Sequence, residues 1–411
     1  MDTTAATSPG ALRDRMVDRI LTSQDLPPWV ETALRSVERH RYVPEAPLAD
    51  AYDEKAVITH TFSDGTHLSC ASGPTIVAAM LTALDIRPDQ RVLEIGAGTG
   101  YNAALLSTLV GTGGQVTTID INADVTAAAR RNLDGTDFPH VRVLTRDGAD
   151  GAAEYGPFDR IVVTVGAWDI PQAWWEQLAP DGRLVLPLRW RGTTRAVALT
   201  KQDDHWKSDW IFLCGFVPML GQPGERKSVI HPDGLAALHH DLDQPMDTDA
   251  LRGVLDREKS TIWSDVTVHG QEPFDRVWLH LSAAEDSTVR IEADQRAVTD
   301  GLCTPAIASR SPALVKDGSL AYFTIRRATT PGRWQLGAIG HGPLGRRLAS
   351  RIVDQIDAWD QDRTADPEIL AFPAGTPIPN QTQGKVITKP ENRLVLRWAG
   401  RAATPARRAA P

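Results

Sequence analysis

The sequence has 411 residues, of which 42% are hydrophobic and 23% are charged, as is typical of globular proteins. This length exceeds what one hydrophobic core usually organises, so two domains are expected. The formal net charge of −8 argues against a nucleic-acid partner bound through its phosphate backbone.

Cysteine and histidine spacing indicates no metal site. Cys70, Cys214 and Cys303 stand far apart and form no CxxC motif, and the eleven histidines form no HxxxH or HExxH arrangement. No apolar run reaches the length of a membrane span, and the N-terminus lacks a signal-peptide core. We therefore expect a cytoplasmic protein with no metal and no membrane partner.

The first elements are predicted to be helical. We expect disorder over residues 1–10, an amphipathic helix carrying Leu12, Met16 and Ile20, and a second helix over 29–37. A loop-rich stretch follows and ends at Gly73. Apolar spacing then predicts a helix over 74–84.

A glycine-rich turn lies between a strand pattern and a helix pattern in the stretch 91–120. The turn comprises Glu94, Gly96, Ala97, Gly98 and Gly100, in the spacing E-x-G-x-G-x-G. A strand, a tight glycine turn and a helix are the first unit of a nucleotide-binding α/β sheet. Glycine lets a ligand approach the backbone where a Cβ would block it.

The glycine spacing favours S-adenosylmethionine over a dinucleotide. The dinucleotide pattern G-x-G-x-x-G would require glycine at Tyr101. S-adenosylmethionine carries no pyrophosphate, and its ammonium group needs acceptors instead. The next strand ends at Asp120, where a carboxylate can accept both ribose hydroxyls, and Asp147-Gly148 follows a third strand.

The remaining pattern of this half predicts a parallel sheet covered on both faces. A fourth strand is expected over 160–165, a helix over 170–178, a turn over 180–182 and a fifth strand over 183–188. Strands over 196–200 and 210–217 are expected to finish the sheet in antiparallel fashion. We assign residues 1–225 to this α/β domain.

The second half is expected to form a smaller α+β domain. Residues 226–260 are interpreted as a connector, and 261–400 as an accessory domain that is a candidate for peptide binding. Strands are predicted over 276–281, 289–291, 320–325 and 394–398, with a helix over 344–359. The tail 401–411 is rich in Ala, Arg and Pro and is expected to be disordered.

Several motifs, taken in order, resemble the protein-L-isoaspartate O-methyltransferase family over residues 10–220. They are RYVP at 41–44, AYD at 51–53, SGPTIVA at 72–78, the glycine turn with Tyr101, RDG at 146–148, FD at 158–159 and GRLVLP at 182–187. The resemblance implies a Rossmann-like class I methyltransferase sheet. It implies methyl transfer from S-adenosyl-L-methionine to an aspartyl-type carboxylate, with S-adenosyl-L-homocysteine as the product.

Three departures from the usual pattern look like the branch that modifies ribosomally made peptides, the lanthipeptides and graspetides. The chain has HLSCAS at 67–72, GAWDIP at 166–171 and an added C-terminal domain. That branch implies methylation of an ordinary aspartate in a precursor peptide, leading to aspartimide or isoaspartate. The alternative is repair of isoaspartyl residues in proteins.

The resemblance implies site residues, each with a structural alternative. Ser72 would orient the substrate carboxylate or cap a helix, and Ser69 is the second candidate hydroxyl. Glu94 would lie near the cofactor ammonium or hold the glycine turn. Asp120 would bind the ribose or cap a helix. Asp147 would bind adenine or form an Asx-turn.

Further candidates complete the two sets. Ile121, Gly148 and Thr164 join the cofactor set, and Gly166, Ala167 and Trp168 join Ser69 in the substrate set. Trp168 has core packing as an equal alternative. A carboxylate nucleophile is already ionised near neutral pH, so no general base is needed.

Two other function classes compete with methyl transfer. A nicotinamide oxidoreductase would use a similar sheet but a different glycine spacing. A peptide-binding module with a degenerate methyltransferase fold would not need the intact glycine turn and its acidic residues. For the accessory domain, peptide recognition by strand addition competes with a structural or dimerisation role.

Overall fold

The computed structural model describes residues 8–63, 65, 67–222 and 224–398, which divide into two compact units. The first unit contains the described residues up to Leu188 together with Thr194–Gln222. The second contains Arg189–Thr193 and the described residues from 224 onward. The expected tail 401–411 lies outside the described residues.

The helices of the first unit are α1 (Pro9–Ser23), α2 (Pro28–Ser36), α3 (Leu48–Ala51), α4 (Pro74–Leu84), α5 (Tyr101–Val110), α6 (Ala123–Asp134) and α7 (Gln172–Gln177). Its strands are β1 (Val57–Thr61), β2 (His67–Ala71), β3 (Arg91–Ile95), β4 (Gln115–Asp120), β5 (Arg142–Thr145), β6 (Phe158–Val163), β7 (Leu178–Trp190), β8 (Thr193–Lys201) and β9 (Trp206–Leu213). Helix α4 has the predicted bounds.

The main sheet follows the order β9-β8-β7-β6-β3-β4-β5. The five strands β3 to β7 pair in parallel, and β8 and β9 pair in antiparallel fashion, as predicted. The register pairs Ile95 with both Ile119 and Val163. The segments that follow β3, β4 and β6 therefore leave the sheet at one edge, where open α/β sheets bind their ligands.

Three predictions in this unit are wrong. Helix α1 begins at Pro9, inside the segment expected to be disordered, because Ser8 caps it by accepting from the Ala11 amide. The stretch before Gly73 contains the hairpin of β1 and β2 rather than loop throughout. The expected turn 180–182 belongs to β7, where the pairing with β6 is irregular.

The helices of the second unit are α8 (Thr248–Leu251), α9 (Arg276–Ala284), α10 (Gln295–Thr299) and α11 (Gly345–Asp360). Its strands are β10 (Glu225–Val229), β11 (Ala236–Asp241), β12 (Lys259–His269), β13 (Thr288–Ala293), β14 (Ser311–Lys316), β15 (Ser319–Arg327), β16 (Arg333–His341), β17 (Glu368–Pro373), β18 (Lys385–Thr388) and β19 (Asn392–Arg397). An antiparallel sheet runs β10-β11-β13-β14-β15-β16-β12, and β19 lies between β17 and β18.

Two predictions in the second unit are wrong. The expected connector 226–260 contains β10 and β11, and both strands belong to the antiparallel sheet. The expected strand 276–281 is helix α9, because Val277 and Leu281, four residues apart, share one buried face. The predicted helix near the C-terminus is confirmed as α11, which packs Leu348 and Ile352 into the same core.

Candidate functional site

The glycine turn after β3 takes a backbone that favours glycine. Gly96, Gly98 and Gly100 have φ values of 100°, 51° and 85°. A Cβ on Gly96 would lie 2.6 Å from the Thr164 Oγ1 atom. A Cβ on Gly98 would lie 3.4 Å from the carbonyl oxygen of Cys70. The turn is therefore packed closely between β2 and the end of β6.

A cavity opens above this turn. The predicted candidates that line it are Ser69, Ser72, Glu94, Gly96, Ala97, Gly98, Asp120 and Thr164. The rest of its wall is formed by Leu68, Cys70, Ala71, Val77, Met80, Leu81, Thr99, Tyr101, Asn102, Val162, Val165, Phe216 and Val217. The structure thus brings the predicted cofactor turn and both candidate serines to one cavity.

Glu94 is completely buried beneath the turn. Its Oε1 atom accepts a hydrogen bond from Asn102 Nδ2 at 2.8 Å, and its Oε2 atom accepts one from Thr118 Oγ1 at 2.7 Å. Burial raises the pKa of Glu94 to about 7, although both hydrogen bonds oppose that rise. The carboxylate therefore titrates near neutral pH and also holds β3, β4 and α5 together.

Asp120 lies at the end of β4 and faces the same cavity. Its carboxylate accepts from the Asn122 amide at 3.1 Å and from the Gly98 amide at 3.4 Å. Burial raises its pKa, and these backbone amides oppose the rise. The alternative role as a helix cap does not apply, because Asn122 caps α6 by accepting from the Val125 amide.

Ser72 faces the cavity from the segment between β2 and α4. The cap position of α4 is Gly73, with no side-chain capping bond, so the alternative role of Ser72 as a helix cap does not apply. Burial raises the pKa of the Cys70 thiol, and a side-chain hydrogen bond with Ser72 opposes that rise. Ser69, the second candidate hydroxyl, is almost completely buried on β2.

Thr164 has a supporting position behind the turn. Its hydroxyl lies 2.7 Å from the carbonyl oxygen of Gly96 and 3.1 Å from that of Ile95. A hydroxyl can donate to one of these acceptors at a time. Thr164 therefore fastens the glycine turn to the end of β6.

The other candidates do not line the cavity. Asp147 accepts from the Ala149 amide at 2.9 Å, which is the Asx-turn alternative, and Gly148 follows it in the same turn. Gly100 precedes α5, and Ile121 is 43% exposed just after β4.

Trp168 is only 6% exposed, and its amide donates to Gln222 Oε1 at 3.0 Å. This burial supports core packing rather than a position at the substrate mouth. Its neighbours are held by the backbone: the Gly166 amide donates to the Val217 carbonyl, and the Ala167 amide donates to the Pro187 carbonyl.

Sequence reasoning missed part of the wall. Asn102 had a recognisable signal, since it is a polar residue in the first turn of the helix that follows the glycine turn. Phe216 and Val217 carry no motif, and only the folded sheet brings them to the cavity. In the part of the chain that the structure describes, no group of His, Cys, Asp and Glu could hold a metal ion. Within the same residues, no helix has the length and apolar character to cross a bilayer.

The residues present fit S-adenosylmethionine. The buried Glu94 and the partly buried Asp120 provide carboxylate acceptors for an ammonium group and for ribose hydroxyls. The glycine turn exposes backbone to the cavity, and Val77, Met80 and Leu81 give it an apolar wall. A small cationic nucleoside is the ligand class that such a combination suits.

Comparison with known proteins gives a consistent result. The sequence profile of the protein-L-isoaspartate(D-aspartate) O-methyltransferase family matches residues 16–224. A protein-L-isoaspartate O-methyltransferase of Methanopyrus kandleri is 35% identical over 215 residues, which are 52% of this chain and 92% of that protein.

Two solved structures are similar to this chain at low identity. A protein-L-isoaspartate O-methyltransferase structure is 18% identical, with a TM-score of 0.49, over 87% of this chain and 96% of that chain. A Plasmodium falciparum structure of the same description, in complex with S-adenosyl-L-homocysteine, is 20% identical, with a TM-score of 0.43, over 51% and 97%. From the profile match and the curated relative, the chain belongs to the protein-L-isoaspartate(D-aspartate) O-methyltransferase family, whose members are S-adenosylmethionine-dependent carboxyl methyltransferases.

Proposed function

We propose that this protein methylates an aspartyl-type side-chain carboxylate in a peptide or protein substrate. The observation that carries the proposal is one cavity lined by the glycine turn, by Glu94 and Asp120, and by the Ser72 hydroxyl. Bound in this cavity, S-adenosyl-L-methionine would supply the methyl group and leave as S-adenosyl-L-homocysteine.

The protein's own contribution is alignment and exclusion of water. The substrate carboxylate is ionised near neutral pH, since its ordinary pKa is about 4, so proton removal is not required. Ser72 would donate a hydrogen bond that orients the carboxylate in line with the reacting groups. The apolar wall of Val77, Met80 and Leu81 favours a reaction in which opposite charges neutralise each other.

A serine variant tests this assignment. Replacing Ser72 with alanine should lower kcat by ten-fold or more, while affinity for S-adenosyl-L-methionine changes little. Ser107→Ala is the matched control, because that hydroxyl bonds to His140 and does not line the cavity. Equal activity of Ser72→Ala and the wild type would contradict the role given to Ser72.

For the substrate, we propose an aspartate in a ribosomally made precursor peptide. Support comes from residues 225–398 of the second unit, which lie beyond the profile match to residues 16–224. The methyl ester would turn a poor leaving group into a good one. Attack by the next backbone nitrogen would then release methanol and form aspartimide, which hydrolyses to aspartate or isoaspartate.

Repair of isoaspartyl residues is the second candidate function. The names of the relatives favour it, because the Methanopyrus kandleri protein is a protein-L-isoaspartate O-methyltransferase. A repair enzyme would accept a simple isoaspartyl peptide. A tailoring enzyme would instead require the precursor peptide.

Mass spectrometry with two substrates separates the candidates. The protein and S-adenosyl-L-methionine are incubated with a generic isoaspartyl peptide and with an aspartate-containing precursor peptide encoded beside the gene. If only the precursor peptide first gains a methyl group and then becomes lighter than the starting peptide by one water, the result supports peptide tailoring. Methylation of the isoaspartyl peptide alone supports repair, and reaction with neither contradicts both.

The second unit is proposed to bind the leader or core of that peptide by strand addition. Its antiparallel sheet ends in the strands β10 and β12, and an end strand is where an extended peptide adds to a sheet. Fluorescence anisotropy of a labelled leader peptide with the full-length protein tests this. Absence of binding at micromolar protein would support a structural or dimerisation role instead.

A further inference from the structure

Arg39 is a completely buried arginine in the first unit. It lies in a short helical turn over Arg39–Tyr42, and burial lowers the pKa of its guanidinium group. Arginine is among the residue types least often buried, and a buried charge is costly unless polar groups surround it. The contacts of Arg39 therefore call for an explanation.

The guanidinium donates mainly to backbone carbonyls that flank the candidate serine. Its Nη2 atom lies 2.8 Å from the carbonyl oxygen of Ser72 and 3.2 Å from that of Ala71. Its Nε atom donates to the carbonyl of Ala51 at 2.7 Å. The planar guanidinium group thus links the carbonyls of Ala71 and Ser72 to the carbonyl of Ala51.

The same group also contacts the cofactor side of the cavity. The guanidinium carbon of Arg39 lies 4.9 Å from the centroid of the Tyr101 ring. Tyr101 is the first residue of α5, directly after the glycine turn, and it lines the cavity. Arg39 is therefore in contact with both segments that must meet for methyl transfer.

This arrangement leaves polar atoms unsatisfied. Arg39 Nη1 and the Tyr101 hydroxyl are buried and have no hydrogen-bond partner among the residues that the structure describes. An unsatisfied buried polar group costs about 1–3 kcal/mol. A gain in stability does not explain why Arg39 and Tyr101 are kept together at this cost. A requirement to hold the neighbouring cavity residues in a fixed geometry does explain it.

We propose that Arg39 is a positioning residue that sets the distance between Ser72 and the glycine turn. The inference rests on the proposed function, because it acts through Ser72. Arg39 itself does not line the cavity. Loss of its guanidinium group would let the Ser72 segment move, so alignment would suffer while the cofactor turn remained intact.

A partly buried arginine elsewhere in the unit provides the control. Arg160 also donates to backbone carbonyls, those of Leu84, Asp85 and Asp159, and it does not line the cavity. Arg39→Lys and Arg160→Lys should both lower the melting temperature. At a temperature where both are folded, Arg39→Lys should lower kcat about ten-fold or more and leave KM for S-adenosyl-L-methionine within about two-fold. Arg160→Lys should keep the wild-type kcat.

A double-mutant cycle with Ser72→Ala shows whether Arg39 acts through Ser72. We expect Arg39→Lys to lower kcat by a much smaller factor in the Ser72→Ala variant than in the wild type. The inference would be overturned if Arg39→Lys lowered kcat by the same factor in both proteins, or changed kcat in neither. If Ser72→Ala keeps full activity, the proposed role of Ser72 fails instead. Should Arg39→Lys not fold, Arg39→Gln replaces it in the same cycle.

Discussion

Asn102 Nδ2 lies 2.8 Å from Glu94 Oε1, so the first turn of α5 is tied to the end of β3. The bond joins the strand before the glycine turn to the helix after it. Thr118 holds the second carboxylate oxygen from β4. The bonds keep a completely buried carboxylate in place, and burial raises its pKa to about 7.

The stability of the cofactor-free protein should fall as pH rises because of Glu94. Its pKa rises from 4.5 to about 7 on folding, so the native state binds the proton more tightly than the unfolded state. The stabilisation is complete below about pH 4.5 and is lost as pH rises toward 7. Urea unfolding measured across this pH range should show a free energy of unfolding that declines by on the order of 3 kcal/mol in the wild type. The Glu94→Gln variant should not show this decline. Parallel pH profiles for the two proteins would contradict this.

Cofactor affinity should change in the opposite direction. If the ionised Glu94 carboxylate attracts the ammonium group, S-adenosyl-L-methionine should bind more tightly as pH rises through about 7. Glu94→Gln should bind more weakly above pH 7 and show a flatter pH profile. Isothermal titration calorimetry between pH 6 and 8 measures this. An unchanged affinity in Glu94→Gln would leave the residue with only its structural role.

Gly96→Ala should weaken cofactor binding, because the new Cβ would lie 2.6 Å from Thr164 Oγ1. Gly111→Ala is the control, since Gly111 also has a positive φ, of 69°, but no atom of the described residues lies within 4 Å of its Cβ position. Both variants should lose about 1–2 kcal/mol of stability through backbone strain. Only Gly96→Ala should weaken the Kd for S-adenosyl-L-methionine ten-fold or more. Equal Kd values would show that the turn tolerates displacement.

Gly73→Ala should lower kcat by displacing the segment that carries Ser72. Gly73 has an ordinary φ of −55°, so alanine brings no backbone strain. Its Cβ would however lie 2.5 Å from the carbonyl oxygen of Glu54, and one of the two segments must move. Steady-state kinetics should show a several-fold lower kcat with unchanged cofactor affinity. Gly10→Ala serves as the control, because no atom of the described residues lies within 4 Å of the Cβ position there.

Trp168→Ala should cost stability rather than substrate affinity. Trp168 is 6% exposed, and removal of a buried tryptophan side chain costs about 3–5 kcal/mol. Trp29→Ala is the comparison, because that side chain is 43% exposed and should lose little. Chemical denaturation measures both. If Trp168→Ala raised the KM for the peptide and kept normal stability, the substrate-binding role of Trp168 would be supported instead.

The second unit shows where sequence patterns failed. Val277 and Leu281 of α9 are consistent with a strand or a helix in so short an apolar run, and the structure resolves them as a helix. Strand β10 has the sequence ERKSV and lies at a sheet edge, so it carries no apolar alternation. Edge strands commonly carry charges, which hide them from pattern analysis.

The sequence by itself predicted the part of the cavity wall around the glycine turn. Glu94 and the glycines of the turn form a contiguous strand, turn and helix, whose geometry is local, and Asp120 ends the next parallel strand. The tertiary structure decided the rest of the cavity wall. The wall formed by Cys70, Ser72 and Phe216, and the contacts of Arg39 with it, join segments far apart in the chain. Such contacts depend on packing between elements, which local residue spacing does not encode.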